Sequence, residues 1–303
     1  MSSHDWGQFL ALPAQMADPA GARVVVLPLP YEASTSYIQG TKAGPRSIIE
    51  ASAQVEWYDE SRGDEPCRSG ISTLPALDCE GDPEEVTIRI SDAVAGQVAN
   101  GRFVLSLGGE HTVTVGCVRG AALDRPLTIV QIDAHADLRD EYRGSKWSHG
   151  CVMRRLVDDS PVVQIGIRSM SATEAEFAES SQRVFCVPGR DIAASRCEPD
   201  GCLSWIERAI QAVETELVYL TVDLDGLDPS VVPGVGTPEP GGLLWSETLA
   251  LVRTLFESRT VVAADIVELC PQEGAIMSDF AAARLAYKIA GHAIRSQSSD
   301  GTG

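Results

Sequence analysis

Leu127-Thr128-Ile129-Val130-Gln131-Ile132-Asp133-Ala134-His135-Ala136-Asp137 is the stretch on which the reading of this chain turns. Its first half is a short, almost unbroken apolar run, the pattern of a strand covered on both faces. Its second half delivers two carboxylates and an imidazole at every second position. In extended chain that period points Asp133, His135 and Asp137 the same way. Strands covered on both faces belong to parallel sheets, and the ligand sites of such sheets lie beyond the carboxyl ends of the strands.

Working outward, similar runs fall at residues 23–29, 103–107, 162–167, 183–187, 216–223 and 260–266, with the quoted strand spanning 127–133. Helical spacing lies between them, in Val86, Ile90, Val94 and Val98 and again in Leu203, Ile206, Ile210 and Val213. A further helix starts near Pro45, a good first-turn residue, and a last one runs over 278–294. The alternation predicts an α/β fold, a three-layer α/β/α sandwich with a mostly parallel central sheet. No repeat, linker or boundary divides the chain, so one domain is expected over 1–303, with its core at 24–290. His4 then lies in a flexible N-terminal extension, 63–70 forms a polar loop and 296–303 a disordered tail.

Composition narrows the function. Against 24 basic residues stand 43 acidic ones, a formal net charge of −19. A nucleic-acid partner is therefore not expected, nor docking on an anionic membrane, whereas a small cationic substrate is tolerated. The apolar runs are too short to span a bilayer, and Met1-Ser2-Ser3-His4-Asp5 does not begin a secretory signal. Eight cysteines in 303 residues are too dilute for a disulfide scaffold, and no Cys-x-x-Cys occurs, Cys197 and Cys202 being the nearest pair. A cytoplasmic protein is the expectation.

Two more strands end in chemistry. Residues 216–223 run into Val222-Asp223-Leu224-Asp225, and 103–107 run through Gly108-Gly109 into Glu110-His111. Four aspartates and two histidines gathered on one strand edge repel one another unless a cation joins them. A carboxylate-dominated set with two imidazoles and no thiolate suits Mn²⁺, with Fe²⁺, Co²⁺, Ni²⁺ or Zn²⁺ also compatible. Charge counting favours two divalent ions, and paired metals lower the pKa of bound water.

With these residues in view the chain resembles the ureohydrolases, the family of arginase and agmatinase. The resemblance rests on Gly108-Gly109-Glu110-His111, Asp133-Ala134-His135-Ala136-Asp137-Leu138, Ser148-His149-Gly150 and Val222-Asp223-Leu224-Asp225-Gly226-Leu227-Asp228-Pro229. It extends to the Pro233-Gly234-Val235-Gly236-Thr237-Pro238-Glu239-Pro240-Gly241-Gly242 run and to Asp265-Ile266-Val267-Glu268-Leu269. Pro30-Tyr31-Glu32 and Gly40-Thr41-Lys42-Ala43-Gly44-Pro45 look like the family's N-terminal region. The resemblance implies an arginase-like fold and two Mn²⁺ ions. His111, Asp133, Asp137 and Asp223 would hold one ion, and His135, Asp133, Asp223 and Asp225 the other. It further implies His149 as acid/base or proton shuttle, Glu268 as acceptor for the guanidinium, Thr237 near substrate, and a homo-oligomer, a trimer or hexamer. The implied reaction hydrolyses a guanidinium to urea and an amine.

Within the family, arginases resemble this chain less. An Asn expected two residues after Asp137 is Arg139 here, and Ile165-Gly166-Ile167-Arg168 is followed by Ser169-Met170 where arginases tend to carry an Asp. Agmatine, hydrolysed to putrescine and urea, is the expected substrate. Arg139, Arg143 or Lys146 at the mouth would instead suit an acid such as 4-guanidinobutyrate or 3-guanidinopropionate, whereas Asp140 and Glu141 favour an amine. Two other classes stay open: a cysteine-dependent guanidine-modifying enzyme using Cys151 or Cys270 with His149, and a non-catalytic polyamine-binding homologue. Both cysteines read more simply as buried apolar residues, His292 as structural, and 233–242 as a rigid loop framing the pocket with Thr237 and Glu239 near substrate.

Overall fold

The computed structural model describes residues 6–197 and 204–299. Among them runs an eight-stranded sheet of β1 (Val24–Leu29), β2 (Ile71–Thr73), β3 (Phe103–Gly108), β4 (Leu127–Ile132), β5 (Val162–Ile167), β6 (Val184–Pro188), β7 (Leu217–Asp223) and β8 (Thr260–Val267). The strands lie in the order β2-β1-β3-β8-β7-β4-β5-β6, every pair parallel. From β1 to β5 successive burial is unbroken except at Thr73, which is why these strands read as apolar runs without alternation.

Helices α1 (Gly44–Ser52), α2 (Pro83–Ala99), α3 (Val113–Ala122), α4 (Val152–Leu156), α5 (Ala172–Ser180), α6 (Gly189–Ser195), α7 (Ser204–Gln211), α8 (Trp245–Ser258) and α9 (Met277–Ser299) cover both faces. Alternate strand residues sort into two cores. Val24, Val26, Leu105, Val130 and Leu220 pack with Ile48 of α1, Trp205 of α7, Leu251 of α8 and Ala286 of α9. Val25, Leu27, Val104, Ile129 and Tyr219 pack with Ile90 of α2, Val115 of α3 and Met153 of α4. The three-layer architecture is thus present, with one apolar core on each side of the sheet.

Local signals set the helix starts. Asp82 caps α2 by accepting from Glu84 N–H, with Pro83 following and two glutamates in the first turn. Ser171 and Glu174 form a reciprocal capping box on α5.

The differences from the sequence reading are local. β2 was not anticipated, since three residues on a sheet edge give no periodicity. Residues 63–70, expected as a polar loop, include the single-turn 3₁₀ helix Pro66–Ser69, in which Cys67 is buried beneath Tyr287. Lys288, itself buried, donates to Asp59 at 2.7 Å and to Ser61 at 2.9 Å and ties the turn just before that segment to α9. α9 continues to Ser299 where a disordered tail was expected from Ser296. His4, Cys202, Leu203 and residues 300–303 lie outside the described residues. No helix among the described residues is long and apolar enough to cross a membrane.

Candidate active site

The chain leaves two strand positions open between β3 and β4 and later fills them with β8 and β7, so these four strands end at one crevice. Beyond β3, Gly109 passes so near the strand-β1 exit that a Cβ there would stand 2.0 Å from Tyr31 O. Beyond β7, a Cβ at Gly226 would stand 2.6 Å from Asp133 N. Both close approaches need glycine, and both bring catalytic-type side chains together. Asp223 closes β7, and the following turn Leu224–Gly226 carries Asp225, whose N–H donates to Asp223 Oδ1 at 2.9 Å.

One expectation needs correction here. β4 ends at Ile132, and residues 133–137 leave the sheet instead of continuing it. His135 makes an isolated bridge to Ser169, and Asp137 sits at φ 53°, in the left-handed region. Asp133, His135 and Asp137 therefore meet through a bend in the backbone, not through strand alternation. Glu268, directly after β8, is likewise left-handed at φ 65°. Such conformations cost non-glycine residues about 1–3 kcal/mol and persist where the surroundings enforce them.

The six residues read as ligands are brought together. His111 Nδ1 lies 3.2 Å from Asp133 Oδ2, 3.0 Å from Asp137 Oδ2 and 3.4 Å from Asp223 Oδ2. His135 Nδ1 lies 3.0 Å from Asp225 Oδ2 and 3.7 Å from Asp133 Oδ1. Asp133 turns one oxygen to each imidazole, as a bridging carboxylate does. Two donor triads result, His111–Asp133–Asp137 and Asp133–His135–Asp225, with Asp223 beside the first.

An outer ring of buried polar groups, which sequence reasoning missed, holds this set. Gln164 Nε2 donates to Gln131 Oε1 at 2.7 Å, and Gln131 Nε2 donates to Asp133 Oδ2 at 2.7 Å. Thr221 Oγ1 donates to Asp265 Oδ1 at 2.6 Å and lies 3.0 Å from His111 Nε2. Because Thr221 has given its one hydrogen to Asp265, it can only accept from His111 Nε2–H. That leaves Nδ1 as the lone-pair nitrogen of a neutral His111, facing three carboxylate oxygens. Nδ1 is buried and makes no aligned hydrogen bond. A bare nitrogen aimed at carboxylates is repulsive unless a proton or a metal cation sits between, and with five ligand-type groups converging in the two triads the donor set fits a divalent metal. The available signal was the lone Gln inside each of two apolar strands.

Without a metal, a proton is the cation that the facing aspartates draw onto these imidazoles in its place. Burial pushes the His111 and His135 imidazoles down, but the facing aspartates outweigh it. His111 rises well above its usual range and His135 to about 12. Burial and then the neighbouring Asp133 push Asp137 up to about 7. Burial, Asp225 and Asp133 raise Asp223 well above the carboxylate range, whereas His111 and His135 overcome burial to hold Asp133 below it. So dense a set of acids demands positive charge.

Around the cluster opens a cavity of about 280 Å³ lined, among others, by His149, Glu268, Thr237, Tyr142, Arg139 and Glu174. Glu268, buried, accepts from His111 N–H at 2.7 Å, and burial together with Glu110 pushes its carboxyl well up. His149 is partly buried, with Tyr142 edge-on at 5.7 Å, and burial pushes its imidazole below the usual range. Thr237 Oγ1 donates to Asp225 Oδ2 at 3.3 Å, while Glu239 of the same run contributes only its carbonyl, to Arg168.

Of the mouth-loop charges, Arg139 lines the cavity, with its Nε 3.4 Å from Glu174. Arg143 turns to Ser36 O, and Asp140 pairs with Arg155 and Lys146. Glu174, lining the wall from α5, was not anticipated. Cys151 and Cys270 are buried, with Cys151 pushed up to about 11 and Cys270 also raised by burial. Neither offers a thiolate. His292 stacks on Phe256, far along α9.

A model of the arginase family matches residues 22–291. The chain is 43% identical over 283 residues to a protein of Synechocystis sp. named N(1)-aminopropylagmatine ureohydrolase, covering 90% of each. It is 37% identical over 276 residues to one of the same name from Thermus thermophilus, covering 89% of this chain and 90% of the other. Among solved structures it is similar to the agmatine ureohydrolase of Thermoplasma volcanium, with TM-score 0.82, 31% identity and 94% of each chain covered.

Proposed function

Because the chain belongs to the arginase family, we propose that it hydrolyses the guanidino group of an agmatine-type amine to urea and the free amine, using two Mn²⁺ ions. The similar chains from Synechocystis and Thermus point to the aminopropyl-extended form of agmatine, with agmatine itself as the shorter alternative. The observation that carries the reading is the buried, bare His111 Nδ1 facing Asp133, Asp137 and Asp223, next to a second triad that shares Asp133.

His111, Asp133, Asp137 and Asp223 would hold one ion and His135, Asp133, Asp223 and Asp225 the other. Bound there, two divalent ions activate water at neutral pH and neutralise the carboxylates. The rest falls to the chain's own groups. A guanidinium is planar, cationic and rich in donors, and Glu268 at the cavity wall is the acceptor we assign to it. His149 holds or delivers the proton that the departing amine needs, since an imidazole titrates where that transfer is made. Tyr142, Thr237 and the cavity walls limit water around the reacting carbon. Glu174 beside Arg139 offsets the guanidinium that lines the cavity, which favours a distal amine over a carboxylate tail.

The test is urea release by Mn²⁺-loaded protein offered aminopropylagmatine, agmatine, L-arginine and 4-guanidinobutyrate in parallel, with a chelated control. Chelator-sensitive release from the two amines, with higher kcat/KM for the longer one, is expected. Release only from the acid would overturn the tail assignment, and release that survives exhaustive chelation would overturn the metal chemistry.

A further inference from the structure

The Gly-Gly-Glu-His segment carries a carboxylate, Glu110, for which the reaction above has no use. It is fully buried, and its Oε2 accepts from Ala33 N–H and Ser34 N–H, each at 2.6 Å. Its Oε1 accepts from Thr112 Oγ1 at 2.6 Å and from Ser34 Oγ at 2.7 Å. Ser34 Oγ in turn accepts from His149 N–H at 2.9 Å and lies 3.0 Å from His149 Nδ1. A hydroxyl has one hydrogen and two lone pairs. The hydrogen goes to Glu110 and one lone pair to the His149 backbone, so the second lone pair can only accept a proton carried on Nδ1.

We propose that Ser34, oriented by Glu110, is a positioning residue that fixes neutral His149 as the Nδ1–H tautomer, leaving Nε2 as the nitrogen that exchanges protons with the reaction. This deepens the proton-transfer role given to His149 above and rests on that reading.

The alternatives are weaker on distance and chemistry. Ser148 Oγ is 3.4 Å from Nδ1, and Tyr142 meets the ring edge-on without taking its proton. The glutamate also has a reason to be there. An aspartate at 110 would end one methylene short of the 33–34 backbone, and the close pass at Gly109 is what brings that backbone within reach. The arrangement resembles the way a triad carboxylate sets a histidine tautomer, with a hydroxyl placed between.

The readout is the two-bond ¹H–¹⁵N spectrum of full-length protein labelled in its five histidines and loaded with diamagnetic Zn²⁺. His149 is assigned by loss of its signals in His149→Asn. A protonated Nδ1 and a bare Nε2 are expected in the wild type, and the opposite tautomer overturns the proposal. In Glu110→Gln, the amide oxygen keeps the two backbone donors and its NH₂ faces Ser34, whose hydrogen is then free to turn to His149. The tautomer should shift toward Nε2–H.

Ser34→Ala should lower kcat for the substrate found above by about tenfold or more with KM within about twofold, and Ser34→Thr should restore it. An Ser34→Ala enzyme with wild-type kcat, an unchanged pH profile and an unchanged tautomer overturns the proposal. Should Ser34→Ala fail to fold, the Glu110→Gln spectrum decides alone. The wild-type spectrum needs no turnover, so absent urea release with the expected tautomer sinks the enzymatic reading and leaves the hydrogen-bond inference standing.

Discussion

At the scale of single residues, the site separates the clustered charges from the imidazole proposed to move a proton. Asp133 faces both imidazoles, so Asp133→Ala should abolish metal binding measured by calorimetry, and turnover with it. Full activity in that variant would remove the bridging assignment. His149→Ala should keep its metal and lose kcat by about 10²–10⁴, the usual worth of a positioned acid–base group. An unchanged rate would show that the proton moves elsewhere.

His292 offers a pH test remote from the proposed metal site. Burial, aided by Arg62, lowers its folded pKa to about 4. A base with a depressed pKa contributes stability that is present above its unfolded value near 6.5 and is lost as pH falls toward 4. His292→Gln should therefore lose less stability than wild type between pH 7 and pH 4.5, read as urea midpoints with chelator present. Parallel losses in the two proteins would remove this assignment.

At the scale of elements, Arg168 acts as a clamp. From the end of β5 its guanidinium donates to the carbonyls of Asp225, Gly226 and Leu227 after β7 and to those of Glu239 and Pro240 in the pocket loop. One planar group with several fixed donors ties two irregular segments that no strand ladder satisfies. Arg168→Lys keeps the charge and loses the fork, so both thermal stability and metal affinity should fall, the latter because Asp225 is on the clamped turn. A wild-type metal titration curve in a destabilised Arg168→Lys protein would confine Arg168 to folding.

Which elements exist was largely legible. Seven of the strands announce themselves as apolar runs, six of them because both faces are largely covered, while β6 at the sheet edge is apolar though only half-buried. β2 does not, being three residues at an edge. α3 has no polar stripe because it lies between α2 and the sheet and is buried through most of its length. The bend after β4 was not legible either, because its left-handed Asp137 carries no local signal such as glycine.

At the scale of the whole molecule, the net charge of −19 has a kinetic consequence. A polycationic substrate should be drawn in by the field of the protein, so kcat/KM for agmatine-type amines should fall severalfold from low to physiological salt. A zwitterionic guanidino acid, if it turns over at all, should respond less. Equal salt dependence would show that the cavity, not the global field, governs capture. Loading with Mn²⁺ should also raise Tm in a concentration-dependent way, since an ion binding only the folded site stabilises by mass action.

The kind of chemistry and the layer architecture were legible along the chain. Acidic strand ends, two histidines and apolar runs are properties of residue type and local spacing, and these are written in order along the chain. Tertiary structure alone decided the rest. It set β8 and β7 between β3 and β4, so that His111 meets Asp223 across a separation of over a hundred residues. It also put Glu174 on the cavity wall, and it oriented His111 through Thr221 and Asp265 and His149 through Ser34 and Glu110. A hydrogen bond's direction depends on what each hydroxyl and carboxylate is already bonded to. Those partners come from separate segments that only the packed sheet brings within 3 Å.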